Sequence, residues 1–131
     1  MTRLPITTTL LLATLAFGAA PAMAGDAAAG EKVFNKCKAC HQVGKTAKNR
    51  VGPVLNGVVG RPAGTAGGFR YSDAMSESGL VWDEAALATF LADPRATVPG
   101  SKMAFPGLRK DEEIVNVIAF LASYAADGTR K

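Results

Sequence analysis

The residues with the clearest chemical potential are Cys37, Cys40 and His41, which together form the motif C-x-x-C-H. This motif attaches a c-type haem, because the two cysteines form thioethers with the porphyrin and the histidine binds the iron. Residues three apart lie on one face of a helix, so both thiols can reach the same edge of the ring. The motif therefore predicts one covalent haem c with His41 as an iron ligand.

Three other roles for the two cysteines fit the sequence less well. A structural zinc site usually has four cysteine or histidine ligands, and the whole chain contains two cysteines and one histidine. A thioredoxin-like redox pair is expected near a βαβ pattern, and the sequence shows no such alternation. A disulfide between residues three apart on one helical turn would be strained. Haem attachment is the favoured interpretation.

The second iron ligand decides whether a haem transfers electrons or binds molecules at an open site. Lysine and tyrosine are normally protonated near neutral pH, whereas methionine commonly pairs with histidine on haem iron. Met1 and Met23 would be removed with the N-terminal signal peptide that is predicted for residues 1–24. Met75 lies in a helix-like segment and is interpreted as core packing, while Met103 lies in a loop with a Pro-Gly pair on each side. Met103 is the predicted second ligand.

Residues 1–24 have the pattern of a secretory signal peptide. The basic start Thr2-Arg3 precedes an uncharged apolar run, which ends in the small-residue cleavage pattern Ala22-Met23-Ala24. The run is short against the ~20 residues that a spanning helix needs, so a retained anchor is the less favoured alternative. We predict a single domain at residues 25–131 in the bacterial periplasm, with no membrane span after cleavage.

The predicted mature chain is mildly basic. Without Arg3, fourteen basic residues stand against eleven acidic ones, which gives a formal charge of +3. The lysines and arginines form no run typical of a nucleic-acid-binding stripe, so an acidic protein surface is the expected partner rather than nucleic acid. A chain of 107 residues buries only a modest core. A haem would therefore form much of that core.

Four stretches predict helices around the motif. Asp26 is placed to cap a first helix whose apolar face continues into the cysteines. Ser72 and Gly79 bracket a short second helix. Asp83 begins a third helix, which Pro94 is expected to end. Asp111 opens the last, with apolar residues at i, i+3, i+4 and i+7.

Two long stretches, 42–68 and 95–110, are rich in glycine and proline and are predicted to be loops. Loops of this length normally argue against a compact domain, unless a haem fills the space between them. Apolar residues of the first loop are predicted to line that pocket: Val51, Val54, Leu55, Val58 and Val59. The predicted fold is all-α, with four to five helices and long loops wrapped around one haem.

Further motifs follow one another in a fixed order along residues 25–131. They are Gly52-Pro53, Gly60-Arg61, Gly68-Phe69-x-Tyr71-Ser72-Asp73-Ala74, Gly79-Leu80-Val81-Trp82 and Pro99-Gly100-Ser101-Lys102-Met103-Ala104-Phe105-Pro106-Gly107. With these segments the chain resembles the class I c-type cytochromes, the small electron carriers of mitochondria and bacteria. C-x-x-C-H alone is shared by many unrelated haem proteins, whereas the last segment, following the others, is far more specific. The resemblance implies the cytochrome c fold and electron transport.

The resemblance also implies roles for single residues. Met103 matches the axial methionine, and Pro53 matches the proline whose neighbouring carbonyl accepts a hydrogen bond from the proximal histidine. Arg61, Tyr71 and Trp82 match residues that hydrogen-bond the buried haem propionates. The positions where the first and last helices cross are matched by Gly30, Phe34 and Phe120. The basic ring around the exposed haem edge is matched by Lys36, Arg50, Arg95, Lys102, Arg109 and Lys110.

Three features depart from the most common pattern of the family. Phe90 stands where many relatives carry a tyrosine whose hydroxyl bonds the methionine sulfur, and Met75 replaces an asparagine near internal water. Both changes predict a drier distal side of the haem. The segment before Cys37 is one residue shorter than in mitochondrial forms, which fits a bacterial member.

The sequence thus predicts a monomeric one-electron carrier, not an enzyme, that docks weakly on acidic surfaces of redox proteins. The expected donor is a quinol-oxidising cytochrome complex, and the expected acceptor is a terminal oxidase or a photosynthetic reaction centre. Two alternatives stay open. One is an enzyme or ligand sensor with a displaceable sixth ligand, and the other is a subunit docked tightly on one dedicated dehydrogenase.

Overall fold

The computed structural model describes residues 24–131, so the predicted signal peptide lies outside the described residues except for its last position. The helices are α1 (Ala27–Phe34), α2 (Asp73–Ser76), α3 (Glu84–Ala92), α4 (Pro94–Thr97) and α5 (Asp111–Ala122). Extended pairing in the described range is confined to isolated bridges, Pro62 with Val81 and Tyr124 with Arg130. This confirms the predicted all-α fold. No helix of residues 24–131 is long and apolar enough to cross a membrane.

The predicted capping residues begin three of the helices. The Asp26 carboxylate accepts hydrogen bonds from the first-turn amides of α1 at 2.8 and 3.2 Å. The Ser72 hydroxyl caps α2 at 3.1 Å, and the Asp83 carboxylate caps α3 at 2.7 Å. Among the described residues no side chain caps α5, but its first turn carries Asp111, Glu112 and Glu113. Their negative charges interact favourably with the positive end of the helix dipole.

Pro94 ends one helix and begins the next. The prediction that residues 95–110 are all loop is therefore wrong at its start, because α4 spans Pro94–Thr97. Asp93 caps this helix by accepting a hydrogen bond from Ala96 N–H at 3.1 Å. Proline suits the first helical position, where its missing N–H would have no partner within the helix.

Helices α1 and α5 cross in close contact at Gly30, as the resemblance implied. A methyl group on Gly30 would overlap the carbonyl oxygen of Asn116 and lie 2.8 Å from Cβ of Phe120. Beside this contact the rings of Phe34 and Phe120 pack with centroids 5.2 Å apart. The Asn116 side chain also accepts a hydrogen bond from Asp26 N–H at 2.8 Å. The crossing thus fixes the helix that leads into the cysteine motif.

The C-terminal segment after α5 folds back over both helices and the first long loop. Gly57 N–H donates to the carbonyl of Tyr124 at 3.2 Å. The guanidinium of Arg130 lies 5.6 Å from the ring centroid of Phe120 and 5.7 Å from that of Tyr124. The same guanidinium lies 3.8 Å from a carboxylate oxygen of Glu31 on α1. The segment therefore connects α1, α5 and the 42–68 loop.

Loop 42–68 contributes to the core, but not with every residue predicted. Val58 is buried, and Leu55 and Val59 are partly buried against the core. Val51 is 79% exposed and does not pack against the protein core, so its role as pocket lining stays a prediction. The Arg50 N–H donates to the Gly52 carbonyl at 2.9 Å and closes a turn around Val51. That turn, rather than apolar character, sets the direction of the valine side chain.

Candidate haem site

The cysteine motif continues α1 as a series of tight turns. Cys37 N–H bonds the carbonyl of Phe34 at 2.8 Å, and the N–H groups of Cys40 and His41 bond the carbonyl of Cys37 at 3.1 and 2.9 Å. Both cysteines are half-buried, and no disulfide joins them among residues 24–131. Burial raises the pKa of the Cys37 thiol to about 11, although the charge of Lys36 opposes this shift. Attachment of a c-type haem requires two such cysteines on neighbouring turns, because each one forms a thioether with the porphyrin.

The His41 imidazole is held by a backbone carbonyl. Its Nδ1 donates to the carbonyl oxygen of Pro53 at 2.7 Å. Burial lowers the pKa of His41, and the bond to Pro53 opposes that effect. A neutral imidazole with its proton on Nδ1 keeps the lone pair of Nε2 for a metal. The geometry suits His41 as an iron ligand.

Gly52 packs flush against the His41 ring, a role that the sequence did not reveal. A methyl group there would overlap Cε1 and lie 2.8 Å from both ring nitrogens. Gly52 N–H also donates to the carbonyl of Cys40 at 2.9 Å. The Gly52-Pro53 pair carried part of the family resemblance, but only the proline received a role. A glycine directly before the residue that orients a ligand was the signal available.

Replacing Gly52 with alanine is expected to push the imidazole out of position. The added methyl meets a ring that is fixed by Pro53, so we expect a loss of about 2 kcal/mol in the free energy of unfolding, as for an overpacked core. Denaturant unfolding and the absorption spectrum of the ferric holoprotein would measure the effect. Gly67→Ala is the matched control, because Gly67 has open space around it. Equal stability of the two variants would contradict this account of Gly52.

Arg61 combines two hydrogen-bonded nitrogens with one buried donor. Its two terminal nitrogens donate to the carbonyls of Asn56 at 3.0 Å and Val54 at 3.4 Å. Its Nε is buried and has no hydrogen-bond partner among residues 24–131. An unsatisfied buried donor of this kind is costly, and a carboxylate would satisfy it. Arg61 also lines a pocket of about 410 Å³. The site therefore fits the carboxylate of a haem propionate.

Of the other two residues matched to the propionates, Trp82 lies on a segment bonded to Arg61, and Tyr71 bonds Ala66 in the lining of the same pocket. The backbone N–H of Trp82 donates to the backbone carbonyl of Arg61 at 2.9 Å, so their two segments are paired directly. The Trp82 ring is buried and packs on Phe90 with centroids 4.8 Å apart. The Tyr71 hydroxyl accepts a hydrogen bond from Ala66 N–H at 3.0 Å. Its own proton therefore stays available for a further acceptor.

The two methionines of the described chain differ in their surroundings. Met75 is buried within α2 at 8% exposure, as expected of a core residue. Met103 is half-buried and packs against the core from its loop. Its N–H lies 3.3 Å from the Ser101 hydroxyl, and Leu108 N–H donates to the Leu91 carbonyl at 2.7 Å at the far end of the loop. The Met103 loop is thus bonded to α3 at its far end and has an internal hydrogen bond at Met103.

The family model of cytochrome c matches residues 27–125. The chain belongs to the cytochrome c family. It is 56% identical over 108 residues to cytochrome c-554 of Methylosinus trichosporium, covering 82% of each chain. It is also 56% identical over 111 residues to cytochrome c2 of Rhodomicrobium vannielii, covering 85% of this chain and 89% of that one.

Solved structures give the same result. Cytochrome cH from Methylobacterium extorquens is 54% identical with a TM-score of 0.71, over 74% of this chain and 97% of that one. Cytochrome c2 from Rhodospirillum centenum is 41% identical with a TM-score of 0.73, over 77% and 99%. The chain is a class I c-type cytochrome of the bacterial type, with one covalent haem at Cys37 and Cys40. It is an electron carrier, and it belongs to a family of electron-transfer cytochromes, which in general are not enzymes.

Proposed function

We propose that the chain is a periplasmic carrier of single electrons whose haem iron is bound by His41 and Met103 in both oxidation states. When bound, the haem supplies an iron that alternates between the ferric and ferrous states. The orientation of His41 carries this proposal, since Pro53 and Gly52 leave Nε2 as its free nitrogen. Met103 is the half-buried methionine on a fixed loop, which supports its choice over Met75.

Two side-chain ligands leave no iron position for a substrate, so the chain would act without catalysing a reaction of its own. Retaining both ligands also keeps rearrangement small during electron transfer. A thioether ligand and a buried pocket both favour the reduced iron. Arg61, Tyr71 and Trp82 would hold the propionates, and the buried Arg61 Nε, which has no hydrogen-bond partner in the described part of the chain, supports that role.

The remaining parts of the proposal concern location and partners. Residues 1–24 would be a signal peptide that directs the 25–131 domain to the periplasm as a monomer. Docking would use the basic residues matched to the haem-edge ring, all of which are exposed: Lys36, Arg50, Arg95, Lys102, Arg109 and Lys110. Acidic surfaces would recognise them, on a quinol-oxidising complex as donor and on a terminal oxidase or photosynthetic reaction centre as acceptor. Nucleic acid would not be a partner.

The absorption spectrum of the purified ferric holoprotein tests the ligand pair. A His/Met haem shows a weak far-red band, and we expect that band together with slow binding of added cyanide and of carbon monoxide to the ferrous form. A redox titration on the same sample would then restrict the possible donors and acceptors. If the band is absent and both ligands bind rapidly, the sixth position is open and the proposal is wrong.

A further inference from the structure

A second pocket, of about 360 Å³, lies between the two segments that would hold the haem. Its floor is formed by Phe105 and Leu108, two and five residues after Met103. One wall is Lys36, directly before Cys37. Leu108 is buried, and Phe105 packs against the core, so the floor is firmly placed. The pocket is therefore part of the surface next to the haem-binding segments.

The rim of this pocket carries three cations and one carboxylate. Lys36, Arg109 and Lys110 supply the positive charges, and Glu113 on the first turn of α5 supplies the negative one. Lys36 Nζ lies 2.7 Å from Glu113 Oε1. Arg109 and Lys110 are exposed and form no ion pair with residues of the described range. The rim thus has an excess of positive charge, but Lys36 is already neutralised by its neighbour.

We propose that Glu113 occupies the place that a carboxylate of the partner protein takes in the docked complex. Docking exchanges one carboxylate for another at Lys36, and Glu113 thereby weakens the docking of acidic partners. The proposal rests on the proposed function, because it assumes that an acidic redox protein docks beside the haem. Charge complementarity selects a carboxylate as the occupant, since three cations surround a shallow apolar floor.

The ion pair is exposed enough to exchange. Lys36 and Glu113 side chains are 49% and 26% exposed, and ion pairs of this kind contribute little to stability. Breaking the pair on docking is therefore easy. The free energy needed to separate Lys36 from Glu113 is small, but it still matters for a weak and transient complex. While the pair is intact, the Lys36 charge adds little net attraction for an acidic partner. Glu113 would keep the complex short-lived, which suits a carrier that moves between two partners.

The test compares holoproteins of the wild type, Glu113→Gln and Glu31→Gln. The control Glu31→Gln removes the same charge from another exposed ion pair, that with Arg130, and Glu31 does not line the pocket. The probe is an acetylated tetra-aspartate peptide, titrated against the ferrous protein while the amide NMR signals of residues 105–113 are followed. At about 10 mM ionic strength, where the Debye length is about 30 Å, charge effects are large.

Glu113→Gln is expected to raise the peptide association constant about three-fold, whereas Glu31→Gln changes it much less. The gain should disappear at about 1 M salt, where the Debye length is about 3 Å. Adding Lys36→Gln to Glu113→Gln should also remove the gain, although Lys36→Gln alone should weaken binding only slightly. Equal effects of Glu113→Gln and Glu31→Gln would show that net charge alone matters and would overturn the proposal. Weaker binding by Glu113→Gln would overturn it as well.

The peptide titration does not depend on the sixth iron ligand, so the two proposals fail separately. A holoprotein without the far-red band refutes the proposed ligand pair, whatever the peptide does. A holoprotein with the band, in which Glu113→Gln and Glu31→Gln behave alike, refutes only the role of Glu113. Unchanged far-red bands and melting temperatures in the variants would confirm that each one is folded.

Discussion

Met103→Ala is expected to abolish the far-red absorption band of the ferric holoprotein and to open the iron to external ligands. Alanine offers no sulfur, and the single histidine of the chain is already committed to the other side of the haem. Cyanide and carbon monoxide should then bind rapidly. The reduction potential should fall by roughly 0.1–0.3 V, within the ~0.8 V range that axial ligands span.

Met75→Leu is the matched control for this experiment. Met75 is buried in the core, and a leucine of similar volume should cost less than about 1.5 kcal/mol in the free energy of unfolding. The far-red band should persist in this variant. A band that survives Met103→Ala but disappears in Met75→Leu would assign the ligand to Met75 and contradict the proposed site. Absorption spectra and redox titrations of both variants distinguish these outcomes.

Gly30→Ala is expected to lower the free energy of unfolding by about 3 kcal/mol, near the upper end for overpacked cores. The new methyl would overlap the backbone carbonyl of Asn116, which cannot rotate away as a side chain can. Helices α1 and α5 would have to separate, and Phe34 and Phe120 would lose part of their contact. The higher helix propensity of alanine, about 1 kcal/mol, offsets only part of this cost.

Denaturant unfolding of the ferric holoprotein, followed by circular dichroism, measures the loss. Gly67→Ala again serves as the control, since the same methyl meets nothing within 4 Å there. If Gly30→Ala does not accumulate as folded protein, Phe120→Leu, which weakens the Phe34–Phe120 contact at the same crossing without adding a Cβ at Gly30, gives a second measure in the same unfolding experiment. A Gly30→Ala protein as stable as Gly67→Ala would contradict the close crossing of α1 and α5.

Local signals in the sequence predicted the starts of α1, α2 and α3 correctly. Asp26, Ser72 and Asp83 cap helices because a side-chain oxygen needs only the next few amides as partners. Pro94 was ambiguous, because proline both stops one helix and suits the first position of another. The sequence therefore predicted the end of α3 and missed the start of α4.

The sequence predicted the parts of the site in which the chemistry depends on residue type. It did not predict the parts that depend on close packing in the folded chain. C-x-x-C-H specified the haem, because thioethers need cysteines at that spacing. Gly52 escaped notice, since only the folded chain brings its α-carbon against the His41 ring. The exposure of Val51 was hidden for a similar reason, because a turn closed by its two neighbours directs this side chain away from the protein core.

The contact between Arg130 and Glu31 brings the segment that follows α5 against α1. Arg130 lies next to residue 131 and Glu31 lies six residues after residue 25, so the contact is close to both bounds of the predicted 25–131 domain. Neighbouring ends are common in compact domains. A lipid anchor, a fused protein or an electrode linker attached at either end would therefore leave from one region of the surface. Tethered molecules of this cytochrome would present the same side to the support, whichever end carries the tether.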